Sequence, residues 1–230
     1  MGRESSDSIM SSNTDTIPPS GTAGAGGDNA KREQILAGAE RVFLKQGFDA
    51  ASMDAIARMA GVSKGTLYVY FKNKKDLFKT LILERRRSTA ENLLDFQNSS
   101  EPPEIVLLDF ARRLMDKVVD PKQVSLIRTV VGAVDTFPEL GQTFFAAGPE
   151  FGAIRLAAYL DGQVARGRLH CDDTREAAWH FMALCFHPTV TGSIYFGLPS
   201  PPRAELEQRC QSALRVFLAA YGKPQPPIPA

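Results

Sequence analysis

Residues 52–75 read SMDAIARMAGVSKGTLYVYFKNKK, and the whole chain is organised around this stretch. Ser52 is placed to cap a short helix from Met53 to Ala60, whose inner face is Met53, Ile56, Ala57 and Ala60. Gly61-Val62-Ser63 breaks it. Ser63 then caps a second short helix, Lys64 to Phe71, in which Leu67 and Phe71 stand four apart and share one side. Two short helices about a glycine-containing turn make a helix-turn-helix, whose second helix enters the major groove of DNA. Corners of this shape occur in any helical bundle, so the side chains must carry the reading. Ser63 and Lys64 open the second helix where partial positive charge gathers. Gly65 lets the backbone come close, and Thr66 offers a hydroxyl and a methyl. Tyr68 and Tyr70 carry polar tips on apolar bodies, and Lys72, Lys74 and Lys75 add charge beside the next helix.

Working outward, Ile35, Ala39, Val42 and Phe43 recur at helical spacing in a first helix that stops at Gly47. Asn73 with Asp76 caps a fourth helix running to about Gln97. Further helical periods follow: Ile105 to Val118, Val124 to Val134, a segment from Glu139 to about Arg168 broken at Gly148-Pro149, Asp172 to Phe196 bent or interrupted at His187-Pro188, and Ala204 to Tyr221. No two-residue alternation stands out. The expected fold class is all-α with about nine helices: an N-terminal three-helix domain with the helix-turn-helix, then a helical ligand-binding and dimerisation domain. The expected divisions are a disordered tail over 1–28, a DNA-binding domain over 29–79, the second domain over 80–222 and a proline-rich tail over 223–230.

Composition agrees with an ordinary globular chain: 230 residues, 43% hydrophobic and 23% charged. The net charge is only +1, yet residues 31–79 alone carry ten Lys/Arg against five Asp/Glu. That local excess points to a polyanionic partner for this block and not for the remainder. The longest apolar stretch, Trp179 to Phe186, is far too short to cross a bilayer, so a cytoplasmic chain with no membrane partner is expected. Cys171, Cys185 and Cys210 suit neither a disulfide framework nor a zinc site, and are read as reduced and mostly buried. No GxSxG elbow, HExxH, P-loop or Cys/His nucleophile pair is present, which argues against an enzyme. No cofactor and no metal are expected.

The stretch from Arg32 to Ile82 resembles the N-terminal DNA-binding domain of TetR/AcrR-type transcriptional regulators. Gly47-Phe48, Ile56-Ala57, Gly61-Val62-Ser63, Gly65-Thr66-Leu67-Tyr68, Phe71, Lys74 and Leu77 fall in family order and spacing. The resemblance implies a homodimeric, usually repressing regulator with a small-molecule site in its C-terminal domain. It assigns base contacts to Lys64, Gly65, Thr66 and Tyr68, and phosphate contacts to Ser52, Ser63, Tyr70 and Lys74. Val69, where an aromatic is frequent, and Lys72, where proline is frequent, depart from the pattern. Residues 125–159 are similar to the C-terminal domain of the AefR-like branch.

In the second domain, candidate ligand-binding residues are Arg128, Asp135, Tyr159, Trp179, His180 and His187. Each has a plainer alternative. Arg128 and Asp135 either orient a ligand or pair between helices; Tyr159 and Trp179, with Phe144, Phe145 and Phe151, either line a cavity or fill the core. The two histidines are core or pocket groups, or a metal pair with Cys185. Leu206, Cys210, Ala213, Leu214, Phe217, Leu218 and Tyr221 form a wide apolar face on the last helix, and Val190, Ile194 and Tyr195 end the one before it. That face packs either into its own chain or, as the resemblance implies, into a homodimer through the last two helices. The expected function is a repressor that binds a palindromic double-stranded DNA operator and is released by an apolar or amphipathic effector. The alternatives are an activator or nucleoid-like protein without ligand, and a helical enzyme.

Overall fold

A computed structural model describes residues 24–93, Ser99 and residues 101–223, with side chains described from Gly27 and, within the fourth helix, as far as Arg86. Most of the two expected tails and the end of the fourth helix, residues 94–97, lie outside the described residues. Among the described residues the regular structure is helical: α1 (Gly24–Ala50), α2 (Met53–Ala60), α3 (Lys64–Tyr70), α4 (Lys74–Leu93), α5 (Pro103–Val118), α6 (Pro121–Ala133), α7 (Pro138–Phe145), α8 (Phe151–Ala165), α9 (Thr174–Phe186), α10 (Thr189–Phe196) and α11 (Arg203–Tyr221). A π-helical turn, Ala146–Glu150, joins α7 to α8 and holds Pro149. The fold is thus all-α. It has more helices than the nine expected because the segment ending at Gly148-Pro149 counts separately, and because His187-Pro188 interrupts the expected helix, dividing α9 from α10.

Local chemistry sets the ends. Ser52 Oγ accepts from Ala55 N, and Gly61 closes α2 in the left-handed conformation at φ 65°. Ser63 Oγ accepts from Thr66 N at 3.0 Å, and Asn73 Oδ1 accepts from Asp76 N at 2.8 Å. Gly47, at φ 77°, interrupts the helical backbone of α1 where a stop was expected. At the other end α1 starts at Gly24, inside the tail expected to be disordered, and the Tyr70 hydroxyl holds this end through Asp28. Gly38 is required by packing, because a β-carbon there would fall 2.7 Å from the Ala60 backbone, where α1 crosses α2.

The apolar interior forms two clusters. One joins α1–α4 through Ile35, Phe43, Ile56, Leu67 and Phe78, and extends into α6 and α7 through Leu126, Val130, Ala133 and Leu140. The other joins α5, α8, α9 and α11 through Phe110, Leu156, Phe181 and Phe217. Residues far along the chain therefore complete the interior of the N-terminal head. On α11, Leu206, Cys210, Ala213, Leu214 and Phe217 are buried within their own chain, the first of the two packings that the sequence left open for this face. Over α10, α11 and the residues between them, the exposed large apolar groups are Tyr195, Phe196, Leu198 and Val216.

Candidate nucleic-acid interface and an interior cavity

The geometry of α3 follows from the four-residue spacing of Leu67 and Phe71. Both are buried, at 0% and 3% exposure, and they fix the helix to the head by one side. The opposite side is presented to solvent: Lys64 and Gly65 are exposed, Tyr68 is 45% exposed and Val69 82%. Thr66 is half-buried, with its hydroxyl 2.8 Å from that of Ser63. Seven helical residues span about 10 Å, which fits a major groove about 12 Å wide.

The neighbouring polar groups are largely engaged within the chain. Lys64 Nζ lies 2.7 Å from Asp54 Oδ1, and this bond holds its ammonium above the usual range. Tyr70 donates to Asp28 Oδ1 at 2.5 Å, which pushes its phenol up. Lys74 donates to the Asp49 carbonyl at 2.9 Å while its ammonium sits 4.6 Å from the centroid of the Phe48 ring. Lys75 turns to Glu139 on α7, at 2.8 Å. Lys72, absent from the expected set, makes no ion pair among the described residues and is exposed. Ser52 and Ser63 are exposed caps. The eight expected DNA-facing residues thus gather on α3 and the two helix starts beside it. Val69, the most exposed apolar group here, was noted in the sequence only as a departure from the family pattern.

A second feature lies in the body: a cavity of about 260 Å³ bounded by α4, α5, α6, the π-helical turn, α9 and α10. Its walls are mostly apolar, with Phe110, Leu114, Ile127 and Met182 among them. None of the six residues proposed from sequence to touch a ligand lines it. Tyr159 is 2% exposed and packs among the core side chains of α8. Trp179 stacks on Phe145 at 5.8 Å, nearly parallel. His180 shares a hydrogen bond of 2.6 Å with the Tyr221 hydroxyl on the outer side of α9, and His187 is exposed where α9 ends. Arg128 reaches away to α10, donating to the carbonyls of Ser193 and Ile194, and Asp135 is exposed in the turn after α6. No pair between Arg128 and Asp135 forms. Of the aromatic residues considered, Phe144 does reach the cavity.

The residue that sequence reasoning missed is Arg86, which lines the cavity. Its guanidinium carbon lies 3.7 Å from the centroid of the Phe144 ring, and its Nε is sealed from water without an acceptor among the described residues. Burial brings the guanidinium down to about 10, so it remains a cation at neutral pH. A signal was present: Phe78, Ile82 and Arg86 succeed one another at four-residue spacing, so the buried stripe of α4 runs directly into an arginine.

Comparison with known proteins bears on both features. Residues 35–81 match the model described as bacterial regulatory proteins, tetR family, and residues 105–223 match the AefR-like transcriptional repressor, C-terminal domain. Among solved structures, the flavonoid-responsive regulator FrrA is 35% identical with a TM-score of 0.74, over 86% of this chain and 100% of that one. A TetR-family regulator from Mesorhizobium loti is 27% identical with a TM-score of 0.79, over 84% and 98%. The curated repressor BepR of Brucella suis is 35% identical over 78 residues, 34% of this chain and 37% of that protein. The chain spans about a third of the length of the curated relatives it matches.

Proposed function

The chain belongs to the TetR family of bacterial regulatory proteins, which are transcriptional regulators and not enzymes, and from that premise we propose that it is a cytoplasmic repressor that binds operator DNA as a homodimer and is released by a small molecule. The observation that carries the reading is the outer face of α3, where Lys64, Gly65, Thr66 and Tyr68 stand on a helix fixed from behind by Leu67 and Phe71. On this reading residues 29–79 are the DNA-binding domain and residues 80–222 the ligand-binding and dimerisation domain. Ser52, Ser63, Tyr70 and Lys74 meet phosphates, and the α3 residues read base edges. The intramolecular bonds of Tyr70, Lys64 and Lys74 give up little on contact, because exposed pairs are screened by water and contribute little to stability.

Two α3 helices related by a two-fold axis meet successive major grooves about 34–36 Å apart, so the operator is palindromic. The second subunit joins through α10 and α11. Support for this surface comes from Tyr195 and Phe196, which are 67% and 74% exposed at the end of α10, and from Leu198 and, on α11, Val216, which are also exposed. The effector response finds support in the FrrA likeness and in the cavity, which α4 shares with the head. Lys74 begins α4 and Arg86 follows twelve residues later, about 18 Å along the helix. A ligand that prefers one placement of α4 by about 1–3 kcal/mol changes DNA affinity about 5- to 150-fold. Recovery and sequencing of the genomic fragments that the protein retains tests the function. The expected result is a palindrome upstream of a small set of genes; retention without sequence preference would favour a nucleoid-like binder instead.

A further inference from the structure

The cavity holds one group that an apolar site does not need. Arg86 reaches it from α4, and among the described lining residues the charged ones are Arg86 and Lys117, with no carboxylate. A largely buried cation is ordinarily matched by an anion or a set of acceptors. Arg86 has neither: among the described residues its recorded partner is the Phe144 ring. The ring covers a face of the guanidinium, whereas all five N–H donors lie in the guanidinium plane, so the aromatic contact leaves them unspent. The site is also shaped around this side chain. A β-carbon at Gly148 would lie 3.1 Å from the Arg86 Cδ, Nε and Cζ, so a side chain there would push the arginine aside by a few tenths of an ångström. Such turns recur at functional sites.

We propose that the cavity binds a small amphipathic carboxylate, its acid group paired with the terminal N–H groups of Arg86 and its apolar body against Phe110, Leu114, Ile127 and Met182. A planar carboxylate matches the fork of a guanidinium, and a single-site bond of this kind is strongest where water is excluded. The volume, about 260 Å³, lies just below the usual span of ligand sites, about 300 to 1,000 Å³. That size suits a medium-length alkyl chain or a single-ring body. The second cation, Lys117, is exposed and attracts an anion to the opening. Because Arg86 sits on α4, the charge pair acts on the element that leads to the reading head. The inference rests on the ligand-responsive reading above and names the chemistry of its effector.

Calorimetric titration with matched pairs tests it: decanoate against decanamide, and 4-phenylbutyrate against 4-phenylbutyramide, on wild type, Arg86→Met and Gly148→Ala. In wild type at least one acid binds roughly 10- to 100-fold tighter than its amide, the difference a charge-assisted hydrogen bond supplies. Arg86→Met removes that preference and leaves the amide unchanged. Gly148→Ala, which displaces the guanidinium, reduces it. Retained DNA affinity and an unchanged helical circular dichroism spectrum show that each variant is folded. Amides binding as tightly as acids, an acid preference that survives Arg86→Met, or no binding of either acid would overturn the proposal. The two readings fail separately: acids that bind yet leave DNA affinity unaltered overturn the effector response and uphold the ligand class, whereas release of DNA by neutral molecules alone does the reverse.

Discussion

The reading head and the body cavity treat their cations in opposite ways. At the head, Lys64, Lys74 and Lys75 lie at the surface and each already has a partner, Asp54, the Asp49 carbonyl and Glu139. In the body, Arg86 is largely withdrawn from water with an aromatic ring for company and no acceptor among the described residues. A surface cation exchanges partners at small cost, which suits a helix that must slide along DNA and then settle. A half-buried cation with no acceptor keeps its terminal N–H groups for a ligand, so a ligand that supplies an anion gains a charge-assisted bond. The environment of a charge, more than its presence, marks the difference between a reading surface and a receptor.

The largest effect that would break this comparison comes from the anchors. Leu67→Ala empties a fully buried position behind α3 and is expected to cost about 2–5 kcal/mol of stability in the head. Thermal melts and DNA titrations should show the head failing while carboxylate binding persists in the body. Next comes Arg86→Met, which removes the unpartnered cation. In the ligand-free protein it is expected to raise stability by about 1–3 kcal/mol, a shift of several degrees in melting temperature. A fall of similar size would make Arg86 a structural group and erase the contrast with the head. Lys74→Ala is smaller still: it removes a bond to the Asp49 carbonyl and a contact with Phe48, about 1 kcal/mol together. It should weaken binding to all DNA sequences alike and lower the slope of log affinity against log salt by about one.

The smallest effect serves as a control outside both regions. Arg112 on α5 donates to both carboxylate oxygens of Glu207 on α11, at 2.7 and 2.5 Å, and together with Gln211 this holds Glu207 down to about 2. A carboxyl depressed on folding contributes stability above its ordinary range near 4, and the contribution is lost as pH falls through about 2. Glu207→Gln should therefore reduce the acid dependence of stability between about pH 4 and 2, read by denaturation at stepped pH. DNA affinity and acid preference should not change.

Much of this was legible in the chain before any coordinates. Ser52, Gly61, Ser63 and Asn73 act within one turn of their own position, so their capping roles follow from the residues alone. Leu67 and Phe71 share a side by spacing, and the outward set of α3 follows from them. What periodicity does not carry is which element an apolar face meets. Leu214 and Phe217 satisfy a face suited to a dimer, yet they are buried against α5 and α9 of the same chain. The cavity went unread for the same reason. Tyr159 and Trp179 have the chemistry of ligand contacts, but helix crossings placed one in the core and the other on Phe145. Arg86, concealed among three consecutive arginines, took the place inside.

The claim on which the regulator rests is that the outer face of α3 reads bases. Its most direct measure is the ratio of affinities for the recovered palindrome and for a scrambled duplex, compared among wild type, Thr66→Ala and Tyr68→Ala at one salt concentration. Each substitution is expected to lower that ratio about 5- to 150-fold, the range of one base contact, with non-specific binding preserved. An unaltered ratio in both variants would contradict it.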